Sequence, residues 1–439
     1  MSSWREIELG KVIQFNPSER IVKGTIAKKI AMEKLIEYQR KILGYELAQY
    51  NGGPKFRNGD TLVARITPCL ENGKTAQVDI LNDNEVAFGS TEFIVLRETE
   101  ETINDFIYYL AKSPAFRKKA ISCMEGTSGR KRVNEGALRQ QKLPIPDVKT
   151  QRGIAQILSD FDSKITLNNR INAELEAMAK TIYDYWFVQF DFPDKNGKPY
   201  QASGGKMVWS EELKREVPEG WVVGTVNDLG EIIGGSTPST EDEENFENDG
   251  TPWITPKDLS MNVGNKYITK GEVCVSKRGI EKASLKVMPE GTILLSSRAP
   301  IGYMAISREP VTTNQGFKNI VPNKGYNTEI VYYLIKNLIP VIEKNSSGST
   351  FKEISGSVLK SIKVLLPSKD QATSLTDILS PIFRKQNLLE LENQKLTELR
   401  DWLLPMLMNG QIKIKDAERE LSMAAEDDVV YKATKKKGS

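Results

Sequence analysis

The chain of 439 residues contains no histidine. That removes the commonest general base, the commonest metal ligand and every catalytic triad built on imidazole. Catalysis by Asp, Glu, Lys or Tyr stays possible, but an enzyme is a weaker expectation. Cysteine is scarce: Cys69, Cys123 and Cys274 stand far apart with no paired spacing. This excludes a disulfide framework or a zinc knuckle and fits a reducing cytoplasm, where each reads as a small buried apolar residue. No apolar run approaches the roughly 18 residues needed to cross a membrane. The start, "MSSWREIELG", lacks the apolar core of a signal peptide. Net charge is only +3. A strongly basic balance would argue for nucleic acid by itself; here that case rests on local clusters.

What the chain does contain is one passage written twice. "KLPIPDVKTQRGIAQILSDFDSKI" (142–165) returns as "KVLLPSKDQATSLTDILSPIFRKQ" (363–386), 221 positions on. At that offset "TSGRKRVNEGALRQ" lies over "GSTFKEISGSVLKS". Val133 falls on Ile354, Leu138 on Leu359 and Pro146 on Pro367. With other offsets, Trp4 and Leu9-Gly10 echo Trp221 and Leu229-Gly230, and "DFIYYLAK" (105–112) echoes "EIVYYLIK" (329–336). Two similar units are expected, which also suits a length too great for one core.

Each unit ends in a helical pattern. Heptad positions run Ile154, Ile157, Phe161, Lys164, Asn168, Ile171, Leu175, Met178, Ile182 and Tyr185. The second copy runs Leu375, Ile378, Ile382, Lys385, Leu389, Glu392, Leu396, Leu399, Leu403 and Met406. A seam sustained at this period argues for helices wound on each other. Ser380-Pro381 suits an N-cap and first helical position. The expectation is a short helix at 150–158, a break, and a long helix at 160–187. In the second copy it is 371–379, then 381–408, stopped by Asn409-Gly410. A 28-residue helix is about 42 Å long.

The front parts carry short β-like runs, such as "GDTLVARI" and "TEFIVLR" in the first and "GTILLSSR" and "YMAIS" in the second. "DFPDKNGKPYQASGGK" (191–206) is a connector rich in Gly and Pro. The expected plan is a mixed domain at 1–146, helix at 147–190, connector at 191–220, mixed domain at 221–367, helix at 368–412 and a mobile tail at 413–439.

Familiar catalytic motifs fail. Gly73-Lys74-Thr75 resembles the end of a phosphate-binding loop, but Pro68 stands where the first glycine belongs. "EDEEN" (241–245) is a solvated loop, since nothing spaces its carboxylates around one ion. Basic and polar chemistry remains in loops. "GTSGRKR" sets Arg130, Lys131 and Arg132 beside flexible glycines, within reach of phosphates; a solvated basic turn would read the same. "ARITP" and "SSRAP" place Arg65 with Thr67, and Arg298 with Ser297, before a proline turn. Arg is the usual bidentate reader of guanine, although a structural ion pair would use it equally. Asn314 and Gln315 offer amides suited to adenine edges, or to a hydrogen-bonded turn. Lys74, Lys257, Thr350 and Lys352 complete the candidate DNA contacts.

This plan resembles the specificity subunit of type I restriction–modification systems. The resemblance covers nearly the whole chain and is carried by "GTSGRKRVNEGALRQQKLPIP", "QRGIAQILSDFDSKITLNNRINAELE", "NGKPYQASGGKMVWSEELKREVPEGW" and "GGSTPSTEDEENF" with "TPWITPKDL". It implies an α+β fold: two mixed α/β target recognition domains, each followed by a long helix, the helices packed as an antiparallel coiled coil with pseudo-twofold symmetry. It further implies a non-catalytic chain that binds double-stranded DNA, two modification subunits and two restriction subunits. S-adenosylmethionine, ATP and Mg belong to those partners, and no cofactor or metal to this chain. Because the front parts differ while the helices match, the target is expected to be bipartite and asymmetric. One departure stands out: Arg130-Lys131-Arg132 falls on Phe351-Lys352-Glu353, which removes the basic triple from the second copy. A helical protein–protein scaffold without DNA readout is the competing reading.

Overall fold

The structure is a computed structural model that describes residues 4–127, 129–298, 300–348, 352–417 and 419. It is a mixture of helix and sheet in two compact units. Unit 1 is 1–167 with 393–439, and unit 2 is 168–392. Each unit therefore takes one front part and a segment of both long helices.

In unit 1 two four-stranded sheets form the front part. One runs in the order Gln14–Phe15, Phe93–Arg97, Thr61–Ala64, Thr75–Gln77, antiparallel throughout. The strands Thr61–Ala64 and Phe93–Arg97 are buried at every residue, which is why both are mainly apolar, with Thr61 and Arg97 at their ends. The strand Arg5–Glu8 pairs with Lys142–Ile145, tying the start of the unit to the chain entering the first long helix. Unit 2 has a five-stranded and a three-stranded sheet. It closes in the same way, with Val222–Thr225 paired to Lys363–Leu366.

The long helices are Val148–Phe187 and Lys369–Met408, 40 residues each. Neither carries the expected break. Ser380 lies inside the second helix and its hydroxyl donates to Glu329 Oε1 at 2.6 Å instead of capping. Pro381 is exposed, and a helix tolerates a lost N–H best on its solvent side, where carbonyls tilt outward. Each helix is thus about 60 Å long rather than about 42 Å.

Both helices contribute to each core. In unit 1, Phe161 and Leu158 share a cluster with Leu403, Leu407 and the Phe106-to-Leu110 helix face. In unit 2, Asn168 donates to Glu392, and Gln386 donates to the Asn172 carbonyl at 3.3 Å, so partner numbers fall as those of the first helix rise. Of the expected seam, Ile157, Phe161, Ile382, Leu389 and Leu403 are buried. Leu175, Ile182, Leu396 and Leu399 are partly buried against the cores, and Ile171 is half-buried. Met178, 55% exposed, and Ile378, 42% exposed, are corrections. Near Met178 the buried face has moved to Ala179, Tyr183, Trp186 and Phe187. An unsupercoiled helix drifts about 20° per heptad, enough to change the facing residue after three heptads.

The connector packs tightly. Phe192 stacks between Tyr200, 4.7 Å away, and Trp221, 5.2 Å away. The start of the expected mobile tail is corrected: Ala417 is fully buried in the unit 1 core, and Ile414 packs against that core. A methyl at Gly153 would strike Ile414 at 2.4 Å. The tail from 420 onward lies outside the described residues.

A buried polar network fastens each front part to the helices. In unit 1 the Tyr109 hydroxyl donates to Asp162 at 2.7 Å, and Arg400 donates to the same carboxylate at 2.7 Å. In unit 2 the Tyr333 hydroxyl donates to Glu176 at 3.0 Å, and the Lys266 ammonium lies 2.7 Å from that carboxylate. Burial alone would raise the Glu176 carboxyl, but the Lys266 and Lys336 ammonium groups hold it down at about 2. The second tyrosine of each Tyr-Tyr pair thus has the same job in both units.

Candidate nucleic-acid interface

Three chain segments meet in unit 1 at the end of the strand Thr61–Ala64. The Arg65 N–H donates to the Glu92 carbonyl at 2.8 Å, and the Val133 N–H donates to the Arg65 carbonyl at 2.8 Å. Ile66 bridges Arg132, and the Thr67 N–H donates to the Lys131 carbonyl at 3.0 Å. The basic loop is therefore stitched by its backbone to the turn that carries Arg65. Its side chains face an acid. Arg132 makes a forked contact with Glu92, Nε at 2.9 Å from both oxygens and an Nη at 2.7 Å from Oε1. Those hydrogen bonds hold the Glu92 carboxyl below the usual carboxylate range. Arg65 donates to the Val133 carbonyl at 3.1 Å, while Arg130 and Lys131 are exposed.

Unit 2 repeats three of these backbone contacts. The Ser297 N–H donates to the Gly316 carbonyl at 2.8 Å, and the Ile354 N–H donates to the Ser297 carbonyl at 3.1 Å. Arg298 bridges Glu353 as Ile66 bridges Arg132. The bonding pairs Arg65 with Ser297 and Ile66 with Arg298, so the two arginines occupy neighbouring rather than equivalent positions of the frame. It also pairs Glu92 with Gly316 and Arg132 with Glu353. The acid has changed segment: Glu353 lies 3.3 Å from the Lys318 ammonium and 3.8 Å from Arg298.

The second junction gathers most of its expected residues. Asn314 accepts from the Gly316 N–H at 2.9 Å, and Gln315 is exposed with its side chain bonded to Thr237. Ser297 is buried, with Lys318 3.5 Å from its hydroxyl. Lys257 is exposed and paired with Glu272 at 2.6 Å, on a helix whose Pro256 would lie 3.1 Å from a methyl at Gly316. Lys352 is exposed beside Glu353. Thr350 lies outside the described residues. In unit 1, Lys74 stays apart, its ammonium held by the Met32 carbonyl at 3.3 Å, and the Thr67 hydroxyl faces the Met124 sulfur at 3.7 Å.

Sequence reasoning passed over Glu92, Lys318 and the pairing role of Glu353. The available signal was Arg132 falling on Glu353, a reversal of charge inside an otherwise matched stretch. Gly235 was also missed. A methyl there would meet the Asn314 carbonyl at 2.0 Å and the Thr313 carbonyl at 2.3 Å, so the "GGST" segment presses on the 314–316 loop. Gly235→Ala should cost about 1–3 kcal/mol as overpacking. It should also disturb the Asn314 loop while leaving unit 1 amide exchange unchanged, as hydrogen exchange would record.

Among the described residues no group of His, Cys, Asp or Glu is arranged to hold a metal. No described helix is long and apolar enough to cross a membrane.

The family of type I restriction modification DNA specificity domains matches residues 1–177 and 218–400. The chain belongs to this family. As a specificity-family member it is not itself an enzyme. It is 27% identical to the HindI specificity subunit of Haemophilus influenzae, over 94% of this chain and 100% of that one. The MjaIX specificity subunit of Methanocaldococcus jannaschii is 44% identical over 181 residues, 40% of this chain and 41% of its relative. In structure, this specificity-family chain resembles the type I restriction-modification S subunit of M. genitalium, with TM-score 0.57 at 16% identity. That likeness covers 92% of this chain and 96% of the other and speaks to fold alone.

Proposed function

We propose that this chain is the sequence-reading subunit of a cytoplasmic type I restriction–modification complex. Each front part, about 1–146 and 221–367, is a target recognition domain reading one half of a bipartite, asymmetric duplex target. The observation that carries this is the repeated junction. One backbone frame carries Arg65, Glu92 and Arg132 in unit 1 and Ser297, Gly316 and Glu353 in unit 2, where Arg298 and Lys318 stand beside Glu353. Two frames with different donors and acceptors suit two different half-sites, since base edges are read by donor and acceptor pattern. The exposure of Arg130, Lys131 and Lys352 supports a role for them in phosphate contact, which positions a protein without specifying sequence.

The long helices act as an antiparallel coiled coil with pseudo-twofold symmetry and set the gap between half-sites. At about 60 Å each, they accommodate a wider gap than the roughly 34–36 Å of one DNA turn that a shorter helix would suggest. Two modification subunits, carrying S-adenosylmethionine, methylate adenine at the bound target. Two restriction subunits, using ATP and Mg, cleave when the target is unmodified.

Arg298→Ala tests the division of labour. In selection from a randomised duplex library by the full chain with its modification subunits, the variant should lose base preference at one half-site only. Discrimination there should fall by about 1–3 kcal/mol. Equal loss at both halves would mean that the arginine serves folding rather than reading.

A further inference from the structure

Each junction contains an ion pair, and the two pairs have opposite polarity. In unit 1 the acid is Glu92 on the turn before the strand Phe93–Arg97, and the cation is Arg132 on the loop. In unit 2 the loop position carries the acid, Glu353, and the cations are Lys318 and Arg298. Opposed charges are present at both junctions while the segment that bears the acid differs. A clip whose only task was to hold loop to turn would work with either polarity. Reading would not, because the sign at each position decides whether a base edge meets a donor or an acceptor.

We propose that Glu92 and Glu353 are specificity-determining residues. Each holds its cationic neighbours away from the phosphates of an arbitrary duplex and releases them only where a base edge supplies a matching contact. A free arginine at the junction would add affinity for any DNA, whereas a paired one adds affinity only where exchange of partners is favourable. Glu92 is the stronger gate, for its two oxygens take three N–H contacts from Arg132. This inference rests on the DNA-reading function proposed above.

Two variants of the full chain, assembled with modification subunits, test it. Glu92→Gln removes the gate charge but leaves an amide to hold the loop. It should tighten binding to poly(dI-dC) duplex several-fold and steepen the salt dependence by about one phosphate contact. It should also narrow the ratio between selected and unselected duplexes. Unchanged affinity for poly(dI-dC) would overturn the proposal. The double variant E92R/R132E reverses the unit 1 pair, so that the loop position carries the acid, as Glu353 does in unit 2. It should keep the melting temperature, change base preference at one half-site and spare the other. A stable double variant that selects the wild-type motif would make the pair a structural clip and sink the idea. Should the double variant unfold, the Glu92→Gln arm decides alone. A wild-type complex that selects no motif would instead refute the DNA-reading function itself.

Discussion

Glu390→Ala is expected to destabilise unit 2 by about 3–5 kcal/mol, the usual cost of breaking a buried ion pair from one side. Glu390 sits on the second long helix, only 6% exposed. It accepts from the Lys266 N–H at 2.7 Å, the Tyr267 N–H at 3.0 Å and an Arg308 Nη at 2.9 Å. One carboxylate thereby fixes the strand Tyr267–Ile268 of the five-stranded sheet to a helix more than 120 residues away. Burial pushes the Glu390 carboxyl up, and burial pushes the Arg308 guanidinium down. The pair is therefore costly to keep dry, and removing only the acid strands both a buried cation and two N–H donors. Glu390→Gln retains one acceptor oxygen and most of the volume, so a loss nearer 1–3 kcal/mol is expected. Denaturant unfolding would give both values, and amide exchange would show Tyr267 losing protection first. A loss under 1 kcal/mol in the alanine variant would mean that sheet and helix are held by packing alone.

Lys112→Met should do the opposite and stabilise unit 1 by about 2–3 kcal/mol at neutral pH. The Lys112 ammonium, on the last residue of the Tyr-Tyr helix, is buried and has no hydrogen-bond partner among the described residues. Burial, helped by the nearby Arg400 charge, pushes it down from 10.5 to about 8. At 1.36 kcal/mol per pKa unit that depression corresponds to about 3 kcal/mol. The pH dependence has a definite sign. Between about 8 and 10.5 the unfolded chain holds a proton that the folded chain has released, so the wild type gains stability as pH rises. Below about 8 both states are protonated and the penalty is constant. The advantage of Lys112→Met should therefore be largest at neutral pH and shrink above 8. Burial raises the Tyr108 and Tyr109 hydroxyls above their usual 10, which pulls the other way, so the comparison belongs below pH 10. A variant no more stable than wild type, or an advantage flat across that range, would show that Lys112 finds compensation in the fold.

The helices were the most legible part of the sequence. Val148 and Lys369 lie 221 positions apart, as do Phe187 and Met408; the sequence placed the ends at 187 and 408 and the starts two residues late, at 150 and 371. Their continuity was hidden because Ser380-Pro381 obeys the local chemistry of a helix start, whereas the surrounding turns carry the helix through it. Met178 was assigned to the seam because a strict heptad ignores the drift of a 3.6-residue turn over long distances, whereas Ile378 lies near the start of its run, where Leu375 and Leu379 take the buried face instead. The junctions were half legible. Basic and amide residues in loops marked the neighbourhood, but loops of unequal length broke the offset there and left no residue-to-residue match between the two turns in sequence. Only backbone hydrogen bonds pair Arg65 with Ser297 and bring Glu92 against Arg132. A carboxylate before an apolar strand carries no sign in sequence that an arginine from 40 residues away will settle on it.

The central claim is that two unlike junctions on one repeated frame read two unlike halves of a single target. Methylome sequencing of a host carrying this chain with its modification subunits tests it most directly. The account predicts modified adenines within one motif made of two different short halves separated by a fixed gap. A palindromic motif, a continuous one, or no methylation dependent on this chain would contradict it.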